Sequence, residues 1–329
     1  MSRDADHGVS GSTRRTAAAS GVEIVKIPAS LAGQRVDNFL ITRLKGVPRS
    51  LVYKLLRRGE VRVNKGRVKP AHRLAEGDLV RLPPVRRADI EARRVPPAGM
   101  QRDLSTAVLY EDERLLVLNK PSGIAVHGGS GISAGVIETL RASRPGTELE
   151  LVHRLDRDTS GCLLISKRRS ALRELHRQMR DGLIDKRYQA LLAGSLPRRL
   201  VQVDLPLRKN QLRGGERMVQ VDLHEGKPAR TVFRRVAVYG GTTLVDVELY
   251  TGRTHQIRVH SASLGAAVAG DDKYGEEAAN KALRQLGLKR LFLHACALSF
   301  RPRDEGPPLR LEAPLPPELT ALLRRLEEV

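Results

Sequence analysis

The sequence predicts an α+β protein, with a large domain on a mixed, mainly antiparallel sheet and a small basic α/β module ahead of it. Three observations carry this reading. At 329 residues the chain is long enough for two domains, at least one with a sizeable core. Short β-branched runs recur from residue 115 onward, with helical stretches between only some of them. Before residue 84 the pattern is different: two helical stretches and then alternating strands, in a strongly basic setting.

The first 22 residues are Ser, Ala, Gly and Arg with Asp4 and Asp6, and they read as a disordered tail without the apolar stretch of a secretory signal. The module spans 23–86. Val36, Leu40 and Leu44 recur at helical spacing with Phe39 beside them, and the turn Gly46-Val47-Pro48 follows. Ser50 is placed to cap a second helix whose stripe is Leu51, Val52, Leu55 and Leu56. Lys54, Arg57 and Arg58 share another face of that helix. Gly59 stops it, Val61-Arg62-Val63-Asn64 alternates into a Lys65-Gly66 turn, and 78–82 alternates again. Residues 84–103 are rich in Pro, Arg and Gly without periodicity and read as a linker, with the second domain covering 104–329. Its expected strands are 115–120, 161–167, 187–194, 231–239, 242–250 and 255–262, with a helix over 170–180.

Composition narrows the function. The net charge of +21 points to a polyanionic partner. Residues 35–83 hold 13 Lys/Arg against 4 Asp/Glu, so the charge is concentrated rather than spread. No apolar run approaches the roughly 20 residues that span a bilayer. The two cysteines, Cys162 and Cys296, sit in apolar segments and read as reduced, buried small hydrophobes of a cytoplasmic protein. Clustered zinc ligands are absent from the sequence. Gly129-Ser130-Gly131 through Ala134 fits a dinucleotide-binding pattern, but no long buried strand leads into it and no βαβ alternation follows. No metal or cofactor site is expected, and a monomer is the default.

The densest chemical cluster is HRLDRDTSG (153–161), two acids, three bases and two hydroxyls between apolar runs. By itself an Asp beside three bases is a structural ion pair. KPSGIAVH (120–127) is a turn after an apolar strand, and Lys186-Arg187-Tyr188 opens another strand. In TGRTHQIRVH (251–260), read as a strand, His255, Ile257 and Val259 share one face and Gln256, Arg258 and His260 the other. His255 and His260 then point apart and cannot jointly hold a metal. Asp158 reads as a turn residue bonding local backbone with Thr159 and Ser160, and His153 and His260 as packing or hydrogen-bonding groups.

In this order and spacing, with AVHGGSG (125–131) and RLFLHACALSF (290–300), the motifs resemble those of the RluA family of pseudouridine synthases. Residues 35–70 with EGDLVRLP (76–83) resemble an S4 RNA-binding domain. The two together run from about residue 23 to 322. The resemblance implies a pseudouridine synthase fold and isomerisation of specific uridines in large-subunit ribosomal RNA. It implies Asp156 as the catalytic aspartate, Arg258 as its basic partner, Tyr188 as the active-site tyrosine, and Arg154 as the side chain that fills the gap left by an extruded uridine. Lys54, Arg57 and Arg58 would be the RNA-facing cations of the S4 module.

Physical chemistry agrees with those roles. The reaction breaks the N1–C1′ bond, turns the uracil and rejoins it through C5, so nothing is added or lost and no redox cofactor is required. It needs a carboxylate kept charged, which burial opposes and a nearby guanidinium favours. Removing Arg258 is therefore expected to strand a buried carboxylate at Asp156. A stacked uridine must leave its helix to reach such a site. The family usually has a Pro before a Gly-Asp or Asp-Asp; here LGAAVAGDDKYG (264–275) has none, which leaves that loop's shape open. The basic stretch RKNQLRGGERMVQ (208–220) is expected to grip RNA. The competing function is a non-catalytic RNA-binding assembly factor on the same fold.

Overall fold

The computed structural model describes residues 21–44, 47, 49–84, 98–128, 134–211, 217–303 and 305–328. Residues 1–20 of the expected N-terminal tail, most of the linker, the glycine run at 129–131 and the residues 212–216 of the basic stretch lie outside the described residues. The chain divides into two compact units, residues 1–94 and 95–329.

The first unit holds strand β1 (Glu23–Lys26), helices α1 (Val36–Arg43) and α2 (Arg49–Arg58), and strands β2 (Arg62–Val63) and β3 (Leu79–Leu82). The strands form an antiparallel sheet in the order β1-β3-β2. The apolar stripes close one core: Val36, Phe39, Leu40, Val52, Leu55, Leu56, Val63 and Val80 are buried together. Lys54, Arg57 and Arg58 are exposed on the opposite face of α2, as its periodicity requires. Helix α2 begins at Arg49, so Ser50 lies inside its first turn rather than at its cap. Asp37, buried, accepts from the Arg35 guanidinium at 2.7 and 3.1 Å and from the Tyr53 hydroxyl at 3.1 Å, which ties α1 to α2.

Among the described residues the second unit opens with helix α3 (Ala98–Thr106), which begins inside the stretch that reads as linker. Leu104 is buried in the main core and Met100 packs against it, an i, i+4 pair too short to register as periodicity. The strands β4 (Val108–Glu111), β5 (Leu115–Lys120), β7 (Ser160–Ser166), β15 (Leu293–Phe300), β8 (Asp185–Ala193), β13 (Thr242–Leu249), β12 (Arg230–Tyr239) and β9 (Leu200–Asp204) run side by side in that order. Short strands β6 (Glu150–Leu151), β14 (Ala267–Val268) and β16 (Leu309–Glu312) pair beside β7, β8 and β15. Among the described residues of this sheet every pairing is antiparallel except β7 with β15. The apolar runs at 115–118 and 162–165 are covered on both faces, which is why they read as continuous rather than alternating. Leu116, Leu118, Leu163 and Ile165 pack with Tyr188, Val245, Val247 and Ile257 on one face. Leu115, Val117, Cys162 and Leu164 face the other way, onto Leu175 of helix α5 (Arg169–Arg180). Helix α4 (Val136–Ser143) covers the first face.

The segment expected as a strand over 255–262 is helix α6 (Gln256–Ser263). Gln256 through Ser261 are all buried, so no solvent-facing stripe marks a 3.6-residue period. What remains in the sequence is the alternation of Ile257 and Val259, which imitates a strand. The basic stretch forms a separate two-stranded ribbon of β10 (Leu207–Gln211) and β11 (Arg217–Val221). Its Leu207 and Val219 are buried against Val259 of α6.

Candidate active site

Asp156 stands in the loop that leads into β7, and the KPSG turn holds that loop from below. Lys120, the last residue of β5, is fully buried and faces Gly161 across the sheet. Its amine donates to the carbonyls of Pro121 and Ile124 at 2.8 Å and of Arg157 at 3.0 Å. Burial pushes this amine down to about 7, while three carbonyl acceptors match the three N–H bonds of its ammonium form. The Ser122 hydroxyl donates to the carbonyl of Asp158 at 2.7 Å. The motif that reads as a bare turn is therefore the clamp on the main chain beside Asp156. Asp158 departs from expectation: its carboxylate pairs with Arg157 at 3.0 Å and only its carbonyl shapes the loop. Ser160 likewise bonds His294 at 2.8 Å and Arg290 at 2.6 Å rather than its neighbours. Across the parallel strands the backbone is closer than any side chain allows. Gly161 has φ +108°, and a Cβ there would lie 2.2 Å from the carbonyl oxygen of Ala295.

His153 and His260 are structural, as expected. His153 Nε2 accepts from the Leu164 N–H at 3.0 Å, and burial pushes its imidazole down to about 4. His260 spans the Thr231 hydroxyl at 2.8 Å and the Leu205 carbonyl at 2.9 Å. Cys162 is buried and Cys296 half-buried, and both are free thiols.

Asp156 keeps 19% of its side chain exposed. Helix α6 and the residue that caps its start aim two groups at its Oδ2: Arg258 Nη1 at 3.8 Å and His255 Nε2 at 3.9 Å. Tyr188 of β8 lines the same cavity of about 290 Å³, together with Ile257 and Leu293. Arg154, Asp156, His255 and Arg258 also line a groove of about 1450 Å³ that runs past Lys120, Lys289 and Arg290. Arg154 is exposed where the groove meets the cavity. So the structure brings Asp156, Arg258, Tyr188 and Arg154 to one place, from a loop, a helix and a strand. Lys54, Arg57 and Arg58 belong to the other unit.

The electrostatics differ from the sequence expectation at one point. Arg258 grips Asp271, not Asp156, through Nε and Nη2 at 2.7 Å each. Asp271 has no side-chain exposure and also accepts the N–H groups of Lys273 at 2.9 Å and Tyr274 at 3.1 Å. The buried carboxylate that Arg258 neutralises is thus in the GDDKYG loop, the segment whose shape the family comparison left open. Burial works against the charge of Arg258, but the fork onto Asp271 and the field of Asp271 and Asp156 outweigh it and raise its pKa. Its remaining nitrogen is left pointing at Asp156. Tyr188 is pushed well above the ordinary phenol range, first by burial and then by Asp156. A phenol held protonated offers a ring face and an O–H rather than a base.

Sequence reasoning missed Asp271, Tyr274 and the direction of His255. A signal was present: two adjacent acids in a chain this basic, just after a glycine, mark a loop with a cationic partner. His255 gives none, because its backbone is in the left-handed region (φ 53°, ψ 21°), a conformation uncommon for a non-glycine residue.

Comparison with known proteins supports the geometry. Residues 114–263 match the family described as RNA pseudouridylate synthase, and residues 34–80 match the S4 domain. Ribosomal large subunit pseudouridine synthase C of Pasteurella multocida is 52% identical over 93% of this chain and 94% of its own length. The protein of that name from Escherichia coli K12 is 53% identical over 93% and 97%. Human RNA pseudouridylate synthase domain containing 4, a solved structure, superposes with a TM-score of 0.58 at 25% identity, covering 70% of this chain and 96% of that one. The fold, the two matched domains and these near full-length relatives agree: the chain belongs to the RNA pseudouridylate synthase family, and its activity is the isomerisation of uridine to pseudouridine in RNA.

Proposed function

We propose that this enzyme modifies specific uridines of large-subunit ribosomal RNA, acting as a cytoplasmic monomer with Asp156 as its catalytic carboxylate. The single observation that carries the assignment is the position of Asp156. Its carboxylate sits where a long basic-edged groove meets a cavity of base size, with a guanidinium 3.8 Å away. The reaction separates uracil from C1′, turns it and joins C5 to C1′, after which C5 loses its proton. One carboxylate can begin this by attack at uracil C6, by attack at C1′, or by removing the C2′ proton. All three routes start from the charged carboxylate, and the Arg258 guanidinium lies beside it.

In this reading an RNA strand lies along the groove and one uridine leaves its stack to enter the cavity. Arg154 is the planar cation at the entrance; it takes the vacated stacking position and holds a phosphate. Tyr188 stacks on the displaced base. Lys54, Arg57 and Arg58 bind backbone phosphates and set affinity rather than choice of uridine. The names of the relatives at 52–53% identity support the large subunit as target.

The test is to incubate the protein with unmodified large-subunit RNA and map pseudouridine chemically. The Asp156→Asn variant is expected to bind RNA as well as the unaltered protein and form none. Pseudouridine at the normal rate in that variant would remove Asp156 from the chemistry.

A further inference from the structure

A hydrogen-bonded chain runs from the basic ribbon to His255, whose ring faces Asp156 at 3.9 Å, and no catalytic role so far uses it. At the ribbon end, the Val219 N–H of β11 donates to the Tyr274 hydroxyl at 3.0 Å. That hydroxyl lies 2.8 Å from His255 Nδ1, and the two rings meet edge to face at 5.6 Å. The other ring nitrogen, His255 Nε2, faces the Asp156 carboxylate. The Arg258 guanidinium lies 5.1 Å over the Tyr274 ring, and the Tyr274 N–H is held by Asp271. Tyr274 is thus fixed from three sides.

The proton positions follow from donor and acceptor counting. Burial lowers the pKa of His255 despite the opposing pull of Asp156, so a neutral ring with one N–H is the form to consider. A proton on Nδ1 would leave the Nε2 lone pair facing a carboxylate oxygen. A proton on Nε2 puts a donor there, and Nδ1 then accepts the Tyr274 O–H. Tyr274 already accepts from Val219, so its own proton is available for His255. Each link satisfies the next in one direction only.

We propose that His255 is a positioning residue for Asp156: Tyr274, registered by the β11 main chain, sets the Nε2–H tautomer that orients the carboxylate beside Arg258. The left-handed backbone of His255 supports this, since it is where the chain turns into α6 and what aims the ring at Asp156. The ribbon that supplies Val219 carries the ends of the basic stretch 208–220, so RNA seated on it bears on the same chain. The inference rests on Asp156 being the catalytic carboxylate.

Four variants of the full-length protein test it on large-subunit RNA under saturating and limiting conditions. His255→Phe keeps an aromatic ring and removes the N–H that faces Asp156; kcat should fall about tenfold, with KM little changed. His255→Gln returns an N–H near the Nε2 position and should recover most of that loss. Tyr274→Phe keeps the ring over Arg258 and should lower kcat several-fold. In the double variant Tyr274→Phe should cost nothing beyond His255→Phe, because both break one chain. Nitrogen-15 spectra of histidine-labelled protein, with the His255 signal assigned by its loss in His255→Gln, should show the Nε2–H form in the unaltered protein and a mixed population in Tyr274→Phe. The proposal is overturned by losses confined to KM, by additive losses in the double variant, by His255→Gln as poor as His255→Phe, or by an Nδ1–H tautomer. Any of these with Asp156→Asn still inactive rejects the relay alone, whereas an active Asp156→Asn rejects the reading beneath it.

Discussion

Replacing Asp271 by asparagine keeps the shape of a fully buried side chain and removes its charge. Two charge-assisted bonds of 2.7 Å from Arg258 end on this carboxylate. With the amide oxygen at Oδ1, the N–H groups of Lys273 and Tyr274 keep their acceptor, but the amide nitrogen then faces the Arg258 Nε donor. A buried guanidinium is left with one carboxylate, Asp156, whose nearest oxygen is 3.8 Å away. Breaking a buried pair from one side costs about 3–5 kcal/mol, and the residual attraction of Asp156 sets the expectation at about 3 kcal/mol. For a unit of 95–329 that corresponds to a fall in melting temperature of roughly 6–12 °C. Urea unfolding of the full chain, followed by far-UV circular dichroism, reads it. The adjacent Asp272→Asn, at a side chain 84% exposed, is the control and should stay within about 0.5 kcal/mol. Activity should fall too, because Arg258 is released to close directly on Asp156. A loss of less than about 1 kcal/mol in Asp271→Asn would refute the claim that Asp271 is the counter-charge of the site.

Gly161→Ala should abolish folding of the catalytic unit or cost more than about 4 kcal/mol, since it meets both a positive φ and a backbone oxygen 2.2 Å away; solubility and circular dichroism report it. Stability should fall in acid through His153, whose pKa drops on folding from near 6.5 to about 4. Its contribution is complete above pH 6.5 and is lost as pH falls towards 4, by about 3 kcal/mol, because the unfolded chain takes up the proton first. His153→Gln, which keeps an acceptor for Leu164, should flatten that part of the stability–pH curve, and an unchanged slope would contradict a ring held neutral by the fold. Changing Lys54, Arg57 and Arg58 together to Ala should reduce the slope of log affinity against log salt by up to about 3 while leaving turnover at saturating RNA intact. An unaltered slope would mean that this face of α2 does not meet phosphate.

Much of the fold was open to reading because its signals are local. The helix stripe of Leu51, Val52, Leu55 and Leu56, and the apolar runs at 115–118 and 162–165, report burial through pattern alone. Helix α6 escaped because a helix buried all round has no polar face to set its period. Helix α3 escaped because its anchors, Met100 and Leu104, are two apolar residues among Pro, Gly and Arg.

The sequence by itself determined the chemical vocabulary: a basic RNA-binding module, a carboxylate in HRLDRDTSG, and the distant Tyr188 and Arg258 that accompany it. Only the tertiary structure decided which charges meet. Arg258 is 102 positions from Asp156 and 13 from Asp271, and spacing along the chain does not say which carboxylate lies in the plane of its fork. That choice depends on the turn of α6, the left-handed entry at His255 and the depth of the GDDKYG loop. Each of these follows from packing between segments far apart in sequence, where burial multiplies the cost of a wrong pairing and leaves one arrangement.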